Sequence, residues 1–273
     1  MKCYKTSSAI WVHWTEKMFV EHGDLWMKFS NRGPDNLAHK SKEIQALDRI
    51  FSETGVNEGG RVLDLCCGSG GHALNLAKKG FNVTGVDFSP TAIKSAEELA
   101  KKMGVKNQAE FSVGDARKVS KLLEKKKFDA TISMGTSIGY YDDDTDKSVI
   151  KQLNELASSN GVLVMDVGNR DFIMNHYQPL DIIKYDDCEF HDYRRLNFEE
   201  SRCYNTWEFY ERDGEDLKHV VTVSLYSRLY SLHELIRLFE MTGWKYSKSY
   251  GNFELEPVTK DTPRIIIVGK KGQ

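Results

Sequence analysis

No apolar run in this 273-residue chain approaches the 18 or more residues that cross a bilayer, so no membrane helix is expected. The opening stretch MKCYKTSSAIWVHWTEK carries charge but no sustained apolar core, and no secretory leader is expected from it. Cysteine is scarce. Cys3, Cys66, Cys67, Cys188 and Cys203 are odd in number and have no disulfide-framework spacing, which excludes a small stapled domain and points to a reducing, cytoplasmic setting. No CxxC or HxxxH pair accompanies them, and no metal site is expected. Charge of one sign is not in excess either: 38 Lys and Arg against 40 Asp and Glu leave a net charge of −2. That balance lacks the electrostatic footprint of a duplex-binding protein, and nucleic acid is not an expected partner. Internal repeats and low-complexity tracts are missing as well. With 40% hydrophobic and 29% charged residues, the chain is long enough for one large domain with an insertion, or for two small ones.

Residues 61 to 167 alternate between strand and helix patterns. RVLDL, FNVTGVD, AEFSVGD, FDATISM and GVLVMDV read as strands; GGHALNLAKKG, SPTAIKSAEELAKKMG and TDKSVIKQLNELASSNG read as helices. In the second helix Ser89 is placed to cap, Pro90 suits the first position, Gly104 closes, and Ile93, Ala96, Ala100 and Met103 form the apolar stripe. Such alternation predicts a parallel sheet covered on both faces. From about Gly168 to Tyr230 aromatic-rich segments with period-two alternation, EFHDYRRLNF, RCYNTWEFYE and LKHVVTVSLYSRLY, predict an antiparallel insertion, with an Asp213-Gly214 turn between the last two. SLHELIRLFEMTG then returns to helix, Ser231 and Glu234 being set for a capping box, and WKYSKSYG and RIIIVGK are two further strands. The first 45 residues, with Trp11, Trp14, Phe19, Trp26 and Phe29, are expected to be helices packed over the main domain. The expected divisions are thus 1–45, a core over 46–167, the insertion over 168–230, and a C-terminal part of the core over 231–273.

The stretch LDLCCGSGGH, 63 to 72, sits where the first strand turns into a helix. Adjacent Cys66 and Cys67 do not have the spacing of a zinc site and behave as small hydrophobes. Gly68, Gly70 and Ala73 satisfy the G-x-G-x-x-A dinucleotide fingerprint, and Asp87 ends the second strand as a ribose-binding acid does. Against a dinucleotide stands Asp64, a carboxylate beside the helix amino end where a diphosphate would lie. Their repulsion is on the order of 1 kcal/mol. The same acid suits a cationic, phosphate-free nucleoside such as S-adenosylmethionine: glycines let the backbone approach closely, Asp87 offers two acceptors to ribose hydroxyls, and Asp115 offers one to the adenine amine.

VLDLCCGSGGHALNLAKKGFNVTGVDFSPTAI, with GDAR and FDATISMGTSIGYY downstream, resembles the class I S-adenosylmethionine-dependent methyltransferases, and within them the small-molecule UbiE-like and glycine N-methyltransferase-like branch. The resemblance covers residues 55 to 170 and extends to the end of the chain. It implies a Rossmann-like α/β fold: a seven-stranded sheet whose last strand is antiparallel, with helices on both faces, plus the antiparallel β insertion. It also implies S-adenosyl-L-methionine as cofactor and S-adenosyl-L-homocysteine as product. By the resemblance, Asp64 serves the methionine ammonium, often through water, Gly68, Ser69 and Gly70 make close contact with the methionine end, Asp87 binds ribose, Phe88 lies on the adenine face, Asp115 and Ala116 border the adenine edge, and Met134 lies beneath the sulfonium. Cys66 departs from the family pattern, standing where the first glycine is usual; the loop is expected to survive, with a slightly altered approach to the ligand. Taken alone, Asp87 and Asp115 also read as strand-end turn formers, Phe88 as core, and His72 as a solvated helix residue.

The acceptor is less legible. No (N/D)-P-P-(Y/F) follows the fourth strand, which sets aside that subgroup of amine and amide methyltransferases, and no fixed catalytic triad is visible. Thr136, Ser137, Tyr140 and Tyr141 face the acceptor or pack a loop. Asp166, Asn169, Arg170 and His176 fall at the carboxyl edge of the sheet, where ligands bind in open α/β sheets; Arg170 holds an acidic substrate or pairs on the surface. In the insertion Tyr193, Arg195, Tyr204, Trp207, Tyr226, Arg228 and Tyr230 suit a substrate lid or the surface of a homodimer. The expected function is methyl transfer to N, O or C of a small molecule, the alternatives being an RNA or protein methyltransferase and, in another class, an NAD-dependent oxidoreductase or non-catalytic cofactor-binding protein.

Overall fold

The computed structural model describes residues 12–30 and 40–272; the expectations that fell on Cys3 and Trp11 lie outside the described residues. The main sheet is built from β1 (Arg61–Leu65), β2 (Asn82–Asp87), β3 (Ala109–Val113), β4 (Phe128–Ser133), β5 (Ala157–Gly168), β10 (Trp244–Tyr250) and β11 (Arg264–Lys271), in the order β10-β11-β5-β4-β1-β2-β3. Strands β1 to β5 run parallel, and β11 is antiparallel to both of its neighbours, β5 and β10. This is the expected sheet, its last strand reversed.

Alternation along each strand feeds two cores, one per face. Val62, Val83, Ile132, Val164 and Ile266 pack against α3 (Lys40–Thr54), α4 (Gly71–Lys78) and α5 (Pro90–Lys102). Their neighbours Leu63, Val86, Met165 and Ile267 pack on the other face against α7 (Asp143–Leu156) and α9 (Leu232–Met241). Because both faces are covered, these strands read as continuous apolar runs. The predicted caps form. Ser89 accepts from the amide of Ala92 at 3.3 Å with Pro90 behind it, Gly104 has φ +72°, and Ser231 with Glu234 closes a capping box. Helix α7 starts earlier than its apolar pattern suggested because Asp142 caps it, accepting from Thr145 N at 2.7 Å. A short helix after β3, α6 (Val119–Leu122), was not foreseen.

The insertion is a four-stranded antiparallel sheet ordered β6 (Leu180–Lys184), β7 (Cys188–Asn197), β8 (Arg202–Asp213) and β9 (Asp216–Arg228), preceded by a helix α8 (Arg170–Asn175). Strand β6 and helix α8 escaped the sequence reading. All five residues of β6 are exposed, so no polar–apolar alternation marks it. The tight turn between β8 and β9 is centred on Gly214 and Glu215, one residue later than expected, since Asp213 pairs with Asp216. One face of this sheet, carrying Cys188, Phe209, Val223 and Leu225, forms a third core with Trp14, Met18 and Phe29. These last come from α1 (Trp14–Glu16), the π turn that continues it, and α2 (Gly23–Ser30). The N-terminal helices are therefore held by the insertion as well as by the main domain. No helix among the described residues is long and apolar enough to cross a membrane.

Candidate functional site

Strand order reverses between β1 and β4, so the chain leaves their carboxyl ends in opposite directions and opens a crevice there. A cavity of about 490 Å3 occupies it, within the range of small-molecule sites. The loop after β1 and the segment Met134–Ser137 after β4 supply its floor. Gly68 has φ +54°, and a Cβ built there would meet nothing within 4 Å, so the missing side chain leaves open approach to the backbone. Gly70, at φ +80°, turns away from the cavity; a Cβ there would lie 3.0 Å from the Phe111 ring. Cys66 takes φ +60°. The glycine usual at this place is thus replaced by a residue that accepts the left-handed backbone at a cost of roughly 1–2 kcal/mol, and the loop keeps its path. Cys67 is a buried packing residue. Burial beside Asp64 and Asp87 raises both thiols, which leaves them unreactive.

The three predicted acids differ in placement. Asp87 faces the cavity, and its two oxygens accept from Gly68 N and Ser89 N, each at 2.8 Å. Burial raises it above the ordinary carboxylate value against these bonds. Asp115 also faces the cavity, but it accepts from the backbone and guanidinium of Arg117. Burial works to raise its pKa, and these contacts hold it below the usual range. Asp64 sits behind the loop, 1% exposed, accepting from Ala73 N at 3.1 Å, and burial lifts it to about 6. It touches no cavity surface.

Opposite the acids lies a second charged group. His72, fully inside and on the cavity wall, bonds through Nε2 to Glu43 at 2.5 Å, and the same carboxylate lies 3.8 Å from Lys40 Nζ. Burial works to raise Glu43; the His72 bond and the charges of Lys40 and Arg264 hold it below its ordinary value. Arg264, opening β11, grips Asp166 at the end of β5 with Nε–Oδ1 2.8 Å and Nη2–Oδ2 2.5 Å, and Asp166 in turn accepts from Gly135 N.

The roof is aromatic. Thr15, Phe19, Trp26 and Met27 from the N-terminal helices meet Tyr140 and Tyr141 from the loop after β4. Tyr141 bonds Thr15 at 2.9 Å, stacks on His13 at 4.4 Å, and lies under the Arg117 guanidinium at 4.5 Å. Trp26 stacks on Trp207 of β8 with ring planes 2° apart. No residue of β6 to β9 lines the cavity. The insertion backs the helices that cover the site, and Tyr193, Arg195, Tyr204, Trp207, Tyr226 and Arg228 do not reach it.

Of the residues expected around the cofactor, Cys66, Gly68, Ser69, Asp87, Phe88, Asp115, Ala116 and Met134 line the cavity; Asp64 and Gly70 stand just behind it. Of the acceptor-side residues, Tyr140 and Tyr141 line it, with Ser137 and Asp166. Asn169, Arg170, His176 and Tyr230 do not, which corrects the expectation. Asn169 caps α8 and ties Thr259 and Thr262 to it. Arg170 pairs with Glu234, His176 stacks on Phe172 at the surface, and Tyr230 is buried against Asp146 at 2.6 Å. Thr136 accepts from Gly168 N behind the wall. Lys40, Glu43, His72, Thr15, Phe253 and Arg264 were missed or misjudged as site residues. They come from four separate stretches of the chain, around Thr15, Lys40 and Glu43, His72, and Phe253 and Arg264, and no local motif marks their meeting; only the two positions of Lys40 and Glu43 on one helix face were readable.

The profile of a methyltransferase domain matches residues 56–220. A Methanocaldococcus jannaschii protein named as a ribosomal RNA large subunit methyltransferase is 37% identical over 118 residues, 41% of this chain and 29% of that protein. The glycine/sarcosine N-methyltransferase of Aphanothece halophytica is 29% identical over 140 residues, 50% of each chain. The chain therefore spans half or less of the length of these relatives. The crystal structure of an S-adenosylmethionine-dependent methyltransferase from Clostridium acetobutylicum superposes with a TM-score of 0.77 at 20% identity, covering 93% of this chain and 98% of that one. These likenesses set aside the dinucleotide reading, as the carboxylate behind the glycine loop suggested. The chain belongs to the class I S-adenosylmethionine-dependent methyltransferases, enzymes that take S-adenosylmethionine as methyl donor.

Proposed function

We propose that this enzyme methylates N or O of a small-molecule acceptor. The observation that carries the reading is the roof: helices α1 and α2, backed by a whole antiparallel sheet, close over the cavity from the side opposite the strands. A pocket of about 490 Å3 roofed by these helices and shared with the cofactor suits a small acceptor better than a folded RNA. The relative of known small-molecule name aligns over a larger share of this chain than the ribosomal RNA one, 50% against 41%.

The residues present fit the cofactor. Gly68 leaves a cradle that a Cβ would fill, Asp87 turns a carboxylate to the place of a ribose, and Asp115 with Ala116 and Phe88 borders the site of a purine. When bound, S-adenosylmethionine supplies an electrophilic methyl on sulfur, and transfer is an in-line displacement by an acceptor lone pair. The chain's own part is to hold the acceptor about 3 Å from that methyl and to keep water away. Met134 and the loop of Cys66 to Ser69 form the floor, and Phe19, Trp26 and Tyr140 form the apolar cover that excludes water. Tyr141 and Ser137 offer hydroxyls for orienting the acceptor. A base is required only for an acceptor that arrives protonated.

The test is a screen of metabolite pools with methyl-labelled S-adenosylmethionine, run beside total RNA and a protein lysate fraction. Label in a low-molecular-mass product supports the reading. Label confined to RNA or protein overturns it.

A further inference from the structure

We propose that Tyr141, Thr15 and His13 form a proton wire serving the methyl acceptor, which is therefore a hydroxyl or an amine that still carries hydrogen. Tyr141 Oη accepts from the O–H or N–H of the acceptor, and Nδ1 of His13 receives a proton at the far end. The wire requires the acceptor to lie beneath the roof and so rests on the proposed function. Thr15 and Tyr141 stand on the cavity wall, with His13 behind them. Tyr141 Oη lies 2.9 Å from Thr15 Oγ1, and Thr15 Oγ1 lies 2.9 Å from His13 Nδ1. Distances alone leave both bonds without a direction, because a hydroxyl gives or takes.

One backbone amide fixes the direction. Thr15 N–H, which can only donate, lies 3.3 Å from His13 Nδ1, the side-chain cap of α1. Nδ1 is therefore the bare nitrogen of a neutral ring, and Nε2 carries the hydrogen, donating it to Tyr226 Oη of β9 at 3.4 Å. With Nδ1 accepting, Thr15 Oγ1 donates to it and, its one hydrogen used, accepts from Tyr141. Tyr141 is then left with lone pairs only, so a further partner of its oxygen has to be a donor. Burial first, and then the charge of Arg117, lower His13 below its ordinary value, which keeps the ring neutral near pH 7. Arg202 of β8 donates to Tyr141 O at 2.9 Å and lies over the Tyr226 ring at 5.4 Å. The insertion thus steadies both ends of the wire without touching the cavity.

Transfer along this path balances. An acceptor lone pair forms the bond to the methyl carbon, the carbon–sulfur bond breaks, and its electron pair stays on sulfur as a neutral thioether. The acceptor proton passes to Tyr141 Oη as the Tyr141 proton moves to Thr15 Oγ1 and the Thr15 proton to Nδ1 of His13. The positive charge that leaves sulfur ends on the half-buried imidazolium, which gives a proton up to water.

Nitrogen NMR of the whole enzyme with S-adenosylhomocysteine reads the His13 tautomer with no acceptor present, the signal being assigned by its loss in His13→Phe. The hydrogen is expected on Nε2; a hydrogen on Nδ1 overturns the proposal. Single-turnover transfer from methyl-labelled S-adenosylmethionine to the metabolite pool is the second readout. Thr15→Val keeps the shape and cuts the wire, so it should slow transfer about tenfold or more while S-adenosylhomocysteine affinity stays within about twofold of wild type. Thr15→Ser, which keeps the hydroxyl, should restore most of the rate. His13→Phe retains a ring against Tyr141 and should fall as Thr15→Val does. Equal loss in Thr15→Val and Thr15→Ser reduces Thr15 to packing, and an undiminished rate in Thr15→Val or His13→Phe leaves the wire unused; either result overturns the proposal. A wild type that labels no small molecule is a failure of the proposed function, seen in the wild type alone, and the His13 spectrum still decides the wire.

Discussion

The floor and the roof of this cavity are made in opposite ways. The floor comes from loops at the ends of neighbouring parallel strands: residues 65–71 after β1, 86–89 after β2, 114–116 after β3 and 134–137 after β4. Each piece is short, polar, and bonded to backbone amides close by. The roof comes from 15–27, pressed by residues 188–225 of the insertion onto residues 140 and 141. It is aromatic, carries two buried tryptophan N–H groups without partners, Trp14 and Trp207, and joins segments some 200 residues apart. The difference separates tasks. Under the proposed function, a nucleoside with fixed donors and acceptors would be met by fixed backbone geometry, and an acceptor would be enclosed by side chains whose shape can vary without disturbing the sheet.

If the two parts are this distinct, damage to the roof should stay in the roof. Phe209 has no exposure and sits at the centre of the third core, so Phe209→Ala should cost about 3–5 kcal/mol. Hydrogen exchange should then rise across 14–30 and 188–228 while β1, β4 and β5 keep their protection. Equal loss of protection in β1 would mean that floor and roof unfold as one unit. Damage to the floor should read differently. Asp87→Ala should weaken S-adenosylhomocysteine by at least tenfold in calorimetry with little change in the roof's exchange pattern; unchanged affinity would misplace the ribose.

A smaller effect comes from pH. Burial raises Asp64 to about 6, so its negative charge, and its attraction for a cationic ligand, fades as pH falls through that value. S-adenosylmethionine affinity should drop between pH 7.5 and 5, and Asp64→Asn should make the slope shallower, the remainder belonging to Asp87, which burial also raises. For stability the sign is reversed. An acid with a raised folded-state value favours folding while protonated; the contribution is complete below its unfolded value, about 3.8, and lost as pH rises through about 6. Asp64→Asn should therefore melt no lower than the wild type at pH 8 even as it binds cofactor less well, a trade between site and fold confined to the floor. The least effect is expected at Cys66. Relief of its left-handed backbone in Cys66→Gly is opposed by lost burial and a more flexible unfolded chain, so stability should stay within about 1 kcal/mol. Cys66→Val, β-branched at φ +60°, should lower the melting temperature clearly.

Floor and roof also differ in how far they could be read beforehand. Asp87 ends a strand with a buried apolar run, Asp115 follows the Gly114 step after the third strand, and the glycine loop announces itself by spacing. The left-handed backbone of Cys66 was hidden, because a cysteine gives no sign that it occupies a glycine's conformation. Asn169, Arg170 and His176 were placed on the correct edge of the sheet, but α8 turned them toward Thr259, Glu234 and Phe172. Strand β6 left no pattern, being exposed throughout. His72, read as solvated, is buried by Glu43, whose distance of 29 residues makes the pair invisible to any window.

The amino-acid sequence alone determined the parallel sheet and the glycine loop, because these follow from periodicity and from residues within a few positions of one another; the reversed last strand and the cofactor followed from the resemblance of those motifs to a methyltransferase family. Tertiary structure decided which helices cover the cavity, which acids face it, and how Lys40, Glu43 and His72 converge. Those outcomes depend on side chains brought together from remote parts of the chain, and local propensity carries no information about such meetings.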